Sequence, residues 1–246
     1  MGGLAVSAPA RPRAVAKRWA YDYPRPALTV DMVVLAVAEH VLRVLLIRRG
    51  EAPYRGRWAL PGGFVNVRDD GDQGEDIDHA AARELHEETG LRPRDVFLQQ
   101  LRAFGKPGRD PRGRTVSIAY FALVPVDLLP RVRAGDDAAE ARWVSVAELP
   151  EMKLAFDHDD IVEAVLDALR ERLGGDLRIA ASFMPAEFTK AELRDVFENV
   201  SGTAYDKSNF NKRFNRMIED GVIVEAPGRR SLTGPGRPAR LYAFAE

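Results

Sequence analysis

Glu84, Glu87 and Glu88 stand close together in the chain, with Arg83 beside them and Glu75 shortly before. On a helix, residues three and four apart share a face, so the three carboxylates project to one side and repel one another. A helix that needed only solubility would mix its charges. The crowding reads either as a solvated acidic face or as a face that meets something positive. Hard divalent cations such as Mg²⁺ or Mn²⁺ take oxygen ligands, and glutamates at this spacing offer several from one rigid element. Glu75 can add a further carboxylate, and Arg83 can hold a glutamate in position. Gly62 and Gly63 let backbone pass close to a phosphate with no Cβ in the way. The set suits a metal-bridged diphosphate, with the cation as Lewis acid and a water as nucleophile.

These groups need a scaffold, and the flanking sequence has the pattern of one. Leu28 to Arg48 holds two β-branched runs split by Glu39-His40, which predicts a strand hairpin. "RWALPGGFV" is a short strand broken at Pro61. The acidic helix follows and ends at Gly90 as its C-terminal glycine. "TVSIAYFALVPV" and "EARWVSVAEL" read as further strands. Ile161, Val165, Leu166, Leu169 and Leu173 then recur at helical spacing until Gly174-Gly175 breaks the pattern. A domain boundary is expected there.

Composition narrows the class. A chain of 246 residues with 46% hydrophobic content has the material for one large or two ordinary domains. Net charge is −1, so any nucleic-acid surface must come from local clustering. The absence of cysteine excludes disulfides and thiolate metal sites and suits a reducing, cytoplasmic setting. No apolar run is long enough to span a membrane. Residues 1–26 carry scattered Arg and Lys without an apolar core and read as a flexible leader, not a signal peptide.

Arg83-Glu84-Leu85-His86-Glu87-Glu88-Thr89-Gly90-Leu91 resembles the Nudix box in full, and Glu75 stands at the right spacing ahead of it. The resemblance implies an α/β class fold, the Nudix α/β/α sandwich, over residues 27–175. It implies Glu84, Glu87 and Glu88 as catalytic metal ligands, Glu75 as a supporting ligand and Arg83 as the residue that orients them. One departure counts against catalysis. The stretch from Gly63 to Glu75, "FVNVRDDGDQG", is about six residues longer than the family pattern, so hydrolysis is expected to be slow or absent. "RDPRGR", "GDDAAEARW" and "LAFDHDDI" are similar to the ADP-ribose branch of the family. Arg49, Arg112 and Arg114 are candidates for the ligand's phosphates, because guanidinium forks match that geometry; the alternative is ordinary surface arginines. Trp58 and Phe104 are weighed as adenine-stacking or core aromatics. Asp136, Asp137 and Glu140 are weighed as a general base or further ligand against a solvated loop.

Residues 176–246 have a different texture. Thr189 and Glu192 form a capping box, with Phe188 and Leu193 as its hydrophobic staple. Asp206 caps a second helix, in which Phe210, Phe214, Met217 and Ile218 line one stripe and Lys207, Ser208, Asn211, Lys212 and Asn215 lie away from it. Two strands follow around a Gly-, Pro- and Arg-rich tip. This is the outline of a winged helix-turn-helix. Residues 207–240 hold eight cations against three acids, on the helix and tip that such a fold presents to DNA. Arg216, Arg229, Arg230 and Arg237 join the helix residues as candidate DNA contacts. A protein-interaction module is the alternative. The whole is similar to the Nudix-related transcriptional regulators of NAD metabolism. That likeness implies an ADP-ribose-sensing repressor acting as a homodimer on a palindromic operator; the competing reading is an active Mg-dependent ADP-ribose pyrophosphatase with an accessory C-terminal domain.

Overall fold

The computed structural model describes residues 22–67, 74–132, 138–230 and 238–245. The hairpin forms as the sequence predicts. Strand β1 (Ala27–Ala38) pairs antiparallel with β2 (Val41–Arg49), and Ala38 faces Val41 across the turn. Glu39 and His40 both take positive φ, 52° and 62°. That is the two-residue turn whose twist matches flanking strands.

Short strands β3 (Trp58–Ala59) and β4 (Gly62–Phe64) pair with β2 and β1 respectively, on either side of Pro61. Helix α1 (Ile77–Thr89) carries the glutamates. Asp76 caps its start through the Asp78 amide, and Gly90 ends it in the left-handed conformation at φ 73°. Strand β5 (Phe97–Phe104) was not anticipated; its burial does not alternate cleanly, because it is the sheet's edge. It pairs antiparallel with β6 (Thr115–Leu123), which runs parallel to β1. Strand β7 (Ala138–Ser145) closes on β2. A short helix α2 (Leu149–Met152) and the long α3 (His158–Leu173) complete this part.

Strand β1 is buried on both sides, and its period of two sorts the core. Met32, Val34 and Ala36 join Ala80, Ala81 and Leu85 of α1. Val33, Leu35 and Val37 join Ile161, Val165 and Leu169 of α3. The sheet is therefore covered by a helix on each face. The same alternation sets Thr29 and Asp31 on the α3 side.

The remainder is α4 (Leu177–Ala181), α5 (Lys190–Ser201), α6 (Lys207–Glu219) and the ribbon β8 (Ile223–Arg230) with β9 (Ala239–Phe244). Both predicted caps are present. Thr189 and Glu192 complete the capping box, and the Asp206 side chain accepts from the Asn209 amide. The Tyr205 and Phe210 rings meet at 6.3 Å. One prediction fails: Ile218 is 39% exposed and leaves the stripe, while Phe210, Phe214 and Met217 are buried. At the end of α6 the core-facing arc has already rotated past it.

Gly174 ends α3 as expected, but the hydrophobic core does not stop there. Val33 and Leu169 belong to the same buried cluster as Phe183, Phe197, Phe210 and Phe214. Polar contacts span the same junction. His40 Nδ1 lies 2.7 Å from an Asp195 carboxylate oxygen, and the Leu42 amide donates to Asn199 Oδ1 at 3.2 Å. Arg213 donates to the Gly174 carbonyl at 3.3 Å.

A shared core predicts shared unfolding. All three tryptophans precede α3 in sequence, so their fluorescence reports the first part alone. Its thermal transition should coincide with that seen by far-ultraviolet circular dichroism. Leu169→Ala should lower stability by about 2–5 kcal/mol and move both signals together. Two separated transitions would show that the parts unfold independently.

Candidate functional site

The acidic face of α1 closes on a cation supplied by its own chain. Arg83 donates to Glu75 at 2.6 and 3.0 Å, to Glu84 at 2.7 Å and to Glu87 at 2.8 Å. It also reaches the Phe64 carbonyl. The hydrogen bonds from Arg83 hold the Glu75 carboxyl below its ordinary range. Burial pushes Glu84 the other way, upward, against the pull of Arg83. Glu88 turns to the backbone and accepts from the Gly62 amide at 2.6 Å. Both glycines are required here. A Cβ on Gly62 would stand 2.1 Å from the Val30 carbonyl oxygen, at a φ of 153°. One on Gly63 would stand 2.2 Å from Glu84 Oε1.

Glu75, Glu84 and Glu87, expected with Glu88 as metal ligands, converge on Arg83. Among the described residues no group of three or more acidic or histidine side chains is arranged to hold an ion. The physical reason is the guanidinium fork, which matches several carboxylates at once and neutralises part of their charge. By donor chemistry the four glutamates fit a hard divalent cation; in the arrangement present, Arg83 takes three of them.

Across the sheet, on the α3 side, lies a cavity of about 160 Å³ whose lining includes Arg49, Gly62, Gly63 and Arg112. Two predicted phosphate arginines thus meet at one place. Their guanidiniums lie 4.8 and 5.5 Å from the Phe156 ring centre. Burial lowers the pKa of Arg49, and the neighbouring Arg112 lowers it further. Two like charges thus stand beside one small cavity, and the carboxylates of Asp110, Glu88 and Asp31 offset part of their repulsion. The Asp110 carboxylate holds Arg112 through bonds of 2.7 to 3.1 Å.

The cavity floor was not legible as a site. Arg109 has only 3% of its side chain exposed and binds Asp157 at 2.6 Å and Asp31 at 3.1 Å. Burial opposes its charge, but the two carboxylates outweigh it and raise its pKa. Ser117 also donates to Asp31. His158 accepts from the Leu60 amide at 2.9 Å, and burial pushes its pKa down. Pairs such as Asp31 with Arg109 are 78 residues apart. The only local cue was their presence in "RDPRGR" and "LAFDHDDI".

Other expected residues are elsewhere. Arg114 does not line this cavity; it donates to the Gly105 carbonyl at 2.7 Å, while Asp110 holds Arg112 at the cavity. Phe104 is buried in the core under Arg102, and Trp58 packs against the same core, so neither joins Arg49. Glu140 lies 3.8 Å from Arg48 on β7. Asp136, Asp137, most of the 64–74 insertion and most of the leader fall outside the described residues.

On α6, Lys207, Ser208, Lys212, Asn215 and Arg216 are exposed and Asn211 is half-buried, all away from the Phe210, Phe214 and Met217 stripe. Arg229 and Arg230 belong to β8, while Arg237 lies outside the described residues. Sequence reading missed Lys190. It begins α5, lines a cleft of about 520 Å³ with Lys207, Asn211 and Arg240, and sits 4.9 Å over the Phe214 ring. Burial lowers its pKa.

Comparison with known proteins gives this geometry a family. Residues 25–165 match the NUDIX domain, and residues 180–244 match the NrtR DNA-binding winged helix domain. The chain belongs to the Nudix family. Its second part is a winged helix of the NrtR type. Over 227 residues, 91% of this chain and 84% of the relative, it is 36% identical to the "ADPR responsive transcriptional repressor NtrR" of Acinetobacter baylyi. Over 141 residues, 57% of this chain and 73% of the relative, it is 40% identical to the ADP-ribose pyrophosphatase of Methanocaldococcus jannaschii. The crystal structure of Shewanella oneidensis NrtR complexed with a 27mer DNA is similar across 89% of this chain and 93% of that one, at 29% identity and a TM-score of 0.73.

The buried arginine makes a sharp test. Arg109→Met would leave Asp31 and Asp157 buried without their counter-charge. Such a break costs about 3–5 kcal/mol. Urea denaturation should show a loss of that order, far above the effect of Arg114→Met at the exposed position. Equal, small losses for both would deny the cluster its structural role.

Proposed function

We propose that this protein is a DNA-binding transcriptional repressor whose Nudix domain senses ADP-ribose or a related nucleotide diphosphate. The observation that carries the reading is the continuous core between the two parts. The arginine-lined cavity and the α6 surface are each attached to it, α3 by its first turn and α6 by its apolar stripe. The NtrR relative and the DNA-bound NrtR structure support the same reading.

In this reading Arg49 and Arg112 meet the ligand's phosphates, with Gly62 and Gly63 allowing close approach. Lys207, Ser208, Asn211, Lys212, Asn215 and Arg216 face DNA from α6, and Arg229, Arg230 and Arg237 from the wing. The target is a palindromic operator of NAD biosynthesis or salvage genes, bound by a homodimer because a two-fold site calls for two copies. Mg²⁺ or Mn²⁺ would be held by Glu84, Glu87 and Glu88 with Glu75, and would supply Lewis-acid charge to a diphosphate. Among the described residues no helix is long and apolar enough to cross a membrane. A cytoplasmic site of action follows from the reading itself.

Fluorescence anisotropy with the gene's own upstream DNA tests it. Saturating ADP-ribose should weaken DNA binding, and that DNA should weaken ADP-ribose binding by the same factor. Lys212→Ala should weaken DNA binding and reduce the salt slope by roughly one. Unaltered DNA affinity at saturating ADP-ribose would remove this ligand as effector.

The intact glutamates and the pyrophosphatase relative favour a second reading, hydrolysis of ADP-ribose. The Arg83 closure and the long 64–74 segment argue for slow turnover. Phosphate-release assays with Mg²⁺, coupled to a phosphatase that acts only on the products, should show little activity. Fast turnover abolished by Glu87→Gln would make the protein an enzyme first.

A further inference from the structure

Thr29 belongs to β1 and is 6% exposed. It lines the cavity together with Arg49 and Arg112. Its neighbours there are paired: Asp31 with Arg109 and Ser117, Asp110 with Arg112, and Arg49 Nε with the Pro53 carbonyl. The Thr29 hydroxyl has no hydrogen-bond partner among the described residues. Trp143 Nε1 shares that condition, but its side chain packs on the α1 side of the sheet. A buried hydroxyl without a partner lowers stability, and Val would fill the same space without that penalty. The position therefore places a polar group with no protein partner among the described residues in the wall of the arginine-lined cavity.

The cavity size bears on what enters. At about 160 Å³ it is smaller than the roughly 300–1,000 Å³ typical of sites that take a whole ligand. It has room for a fragment of a dinucleotide. Two guanidiniums select a phosphate, and a hydroxyl that both donates and accepts suits a phosphate oxygen or a sugar hydroxyl beside it.

We propose that Thr29 is a ligand-contact residue whose hydroxyl bonds the phosphoribosyl end of a nucleoside diphosphate sugar held by Arg49 and Arg112. The proposal rests on the ADP-ribose-sensing reading and names the part of the ligand that enters.

Calorimetric titration with ADP-ribose, together with thermal melting of the free chain, tests it. Thr29→Val should weaken binding about 3- to 10-fold, the range of one neutral hydrogen bond, while the ligand-free chain melts no lower than wild type. Thr29→Ser, which keeps the hydroxyl, should bind near wild type. Ribose 5-phosphate, the fragment that fits, should bind wild type and lose affinity in Thr29→Val by the same factor. Equal ADP-ribose affinity in wild type and Thr29→Val would overturn the proposal, leaving the hydroxyl to a bound water. A lower melting point together with weaker binding would overturn it as well, by showing a structural role. If ribose 5-phosphate fails to bind a wild-type chain that binds ADP-ribose, the assignment of the phosphoribosyl end falls. A wild-type chain that binds no ADP-ribose would overturn the sensing reading and this proposal with it.

Discussion

The constraint on which the rest depends is the buried guanidinium of Arg109. It sits where the sheet, the cavity and the first turn of α3 meet, bound to Asp31 on β1 and Asp157 at the helix start. A buried ion pair is a weak source of net stability, because desolvation offsets most of the attraction. Its effect is geometric. Each carboxylate can be buried only while Arg109 stays in place, so the start of α3 cannot shift along the sheet without exposing a charge mismatch. The Leu60 amide on His158 pins the same turn to the segment before Gly62. Cavity wall and helix start are thus one polar unit.

From that unit α3 runs into the second part. Its apolar side, Ile161 through Leu173, is continuous with Val196, Phe197 and Val200 of α5. Strand β2 gives a second physical connection: Arg49 at one end lines the cavity, and Leu42 at the other bonds Asn199 of α5. A ligand shifts a distant equilibrium only through differential contacts with two arrangements. Two stiff elements attached at both sites are a means of transmitting such a preference. Packed cores favour discrete arrangements over gradual deformation.

How much of this was readable depended on sequence distance. Helix α1, its Gly90 end, the Glu39-His40 turn and both winged-helix caps were legible, because each is decided by residues within a few positions of one another. The Nudix motif was legible for the same reason. Strand β5 was not: "FLQQLRAF" lies at a sheet edge, where one side is solvated irregularly and alternation fades. Arg112 and Arg114 looked alike in sequence, yet Asp110 holds one at the cavity and Gly105 draws the other away. Lys190 and Thr29 were ordinary until the fold set one over Phe214 and the other beside two arginines. The expected metal ligands were legible only as a shared face. Spacing shows that carboxylates share a face, but not which cation answers them.

That last point returns to the crowding of charge on α1. One guanidinium carries a single positive charge, while Glu75, Glu84 and Glu87 together bring up to three negative ones. Arg83 can satisfy their geometry but not their charge. Burial pushes the Glu84 carboxyl upward although Arg83 lies 2.7 Å away, and the Glu87 and Glu75 carboxylates add to the rise. Glu88 is drawn off to the Gly62 amide, at the strand that also borders the cavity. The acidic face is therefore held in shape by Arg83 while keeping an excess of negative charge, and its fourth carboxylate is tied to the backbone lining the cavity. Glu88 therefore links the charge on α1 to the Gly62-Gly63 wall through one carboxylate, whose Oε2 accepts the Gly62 amide.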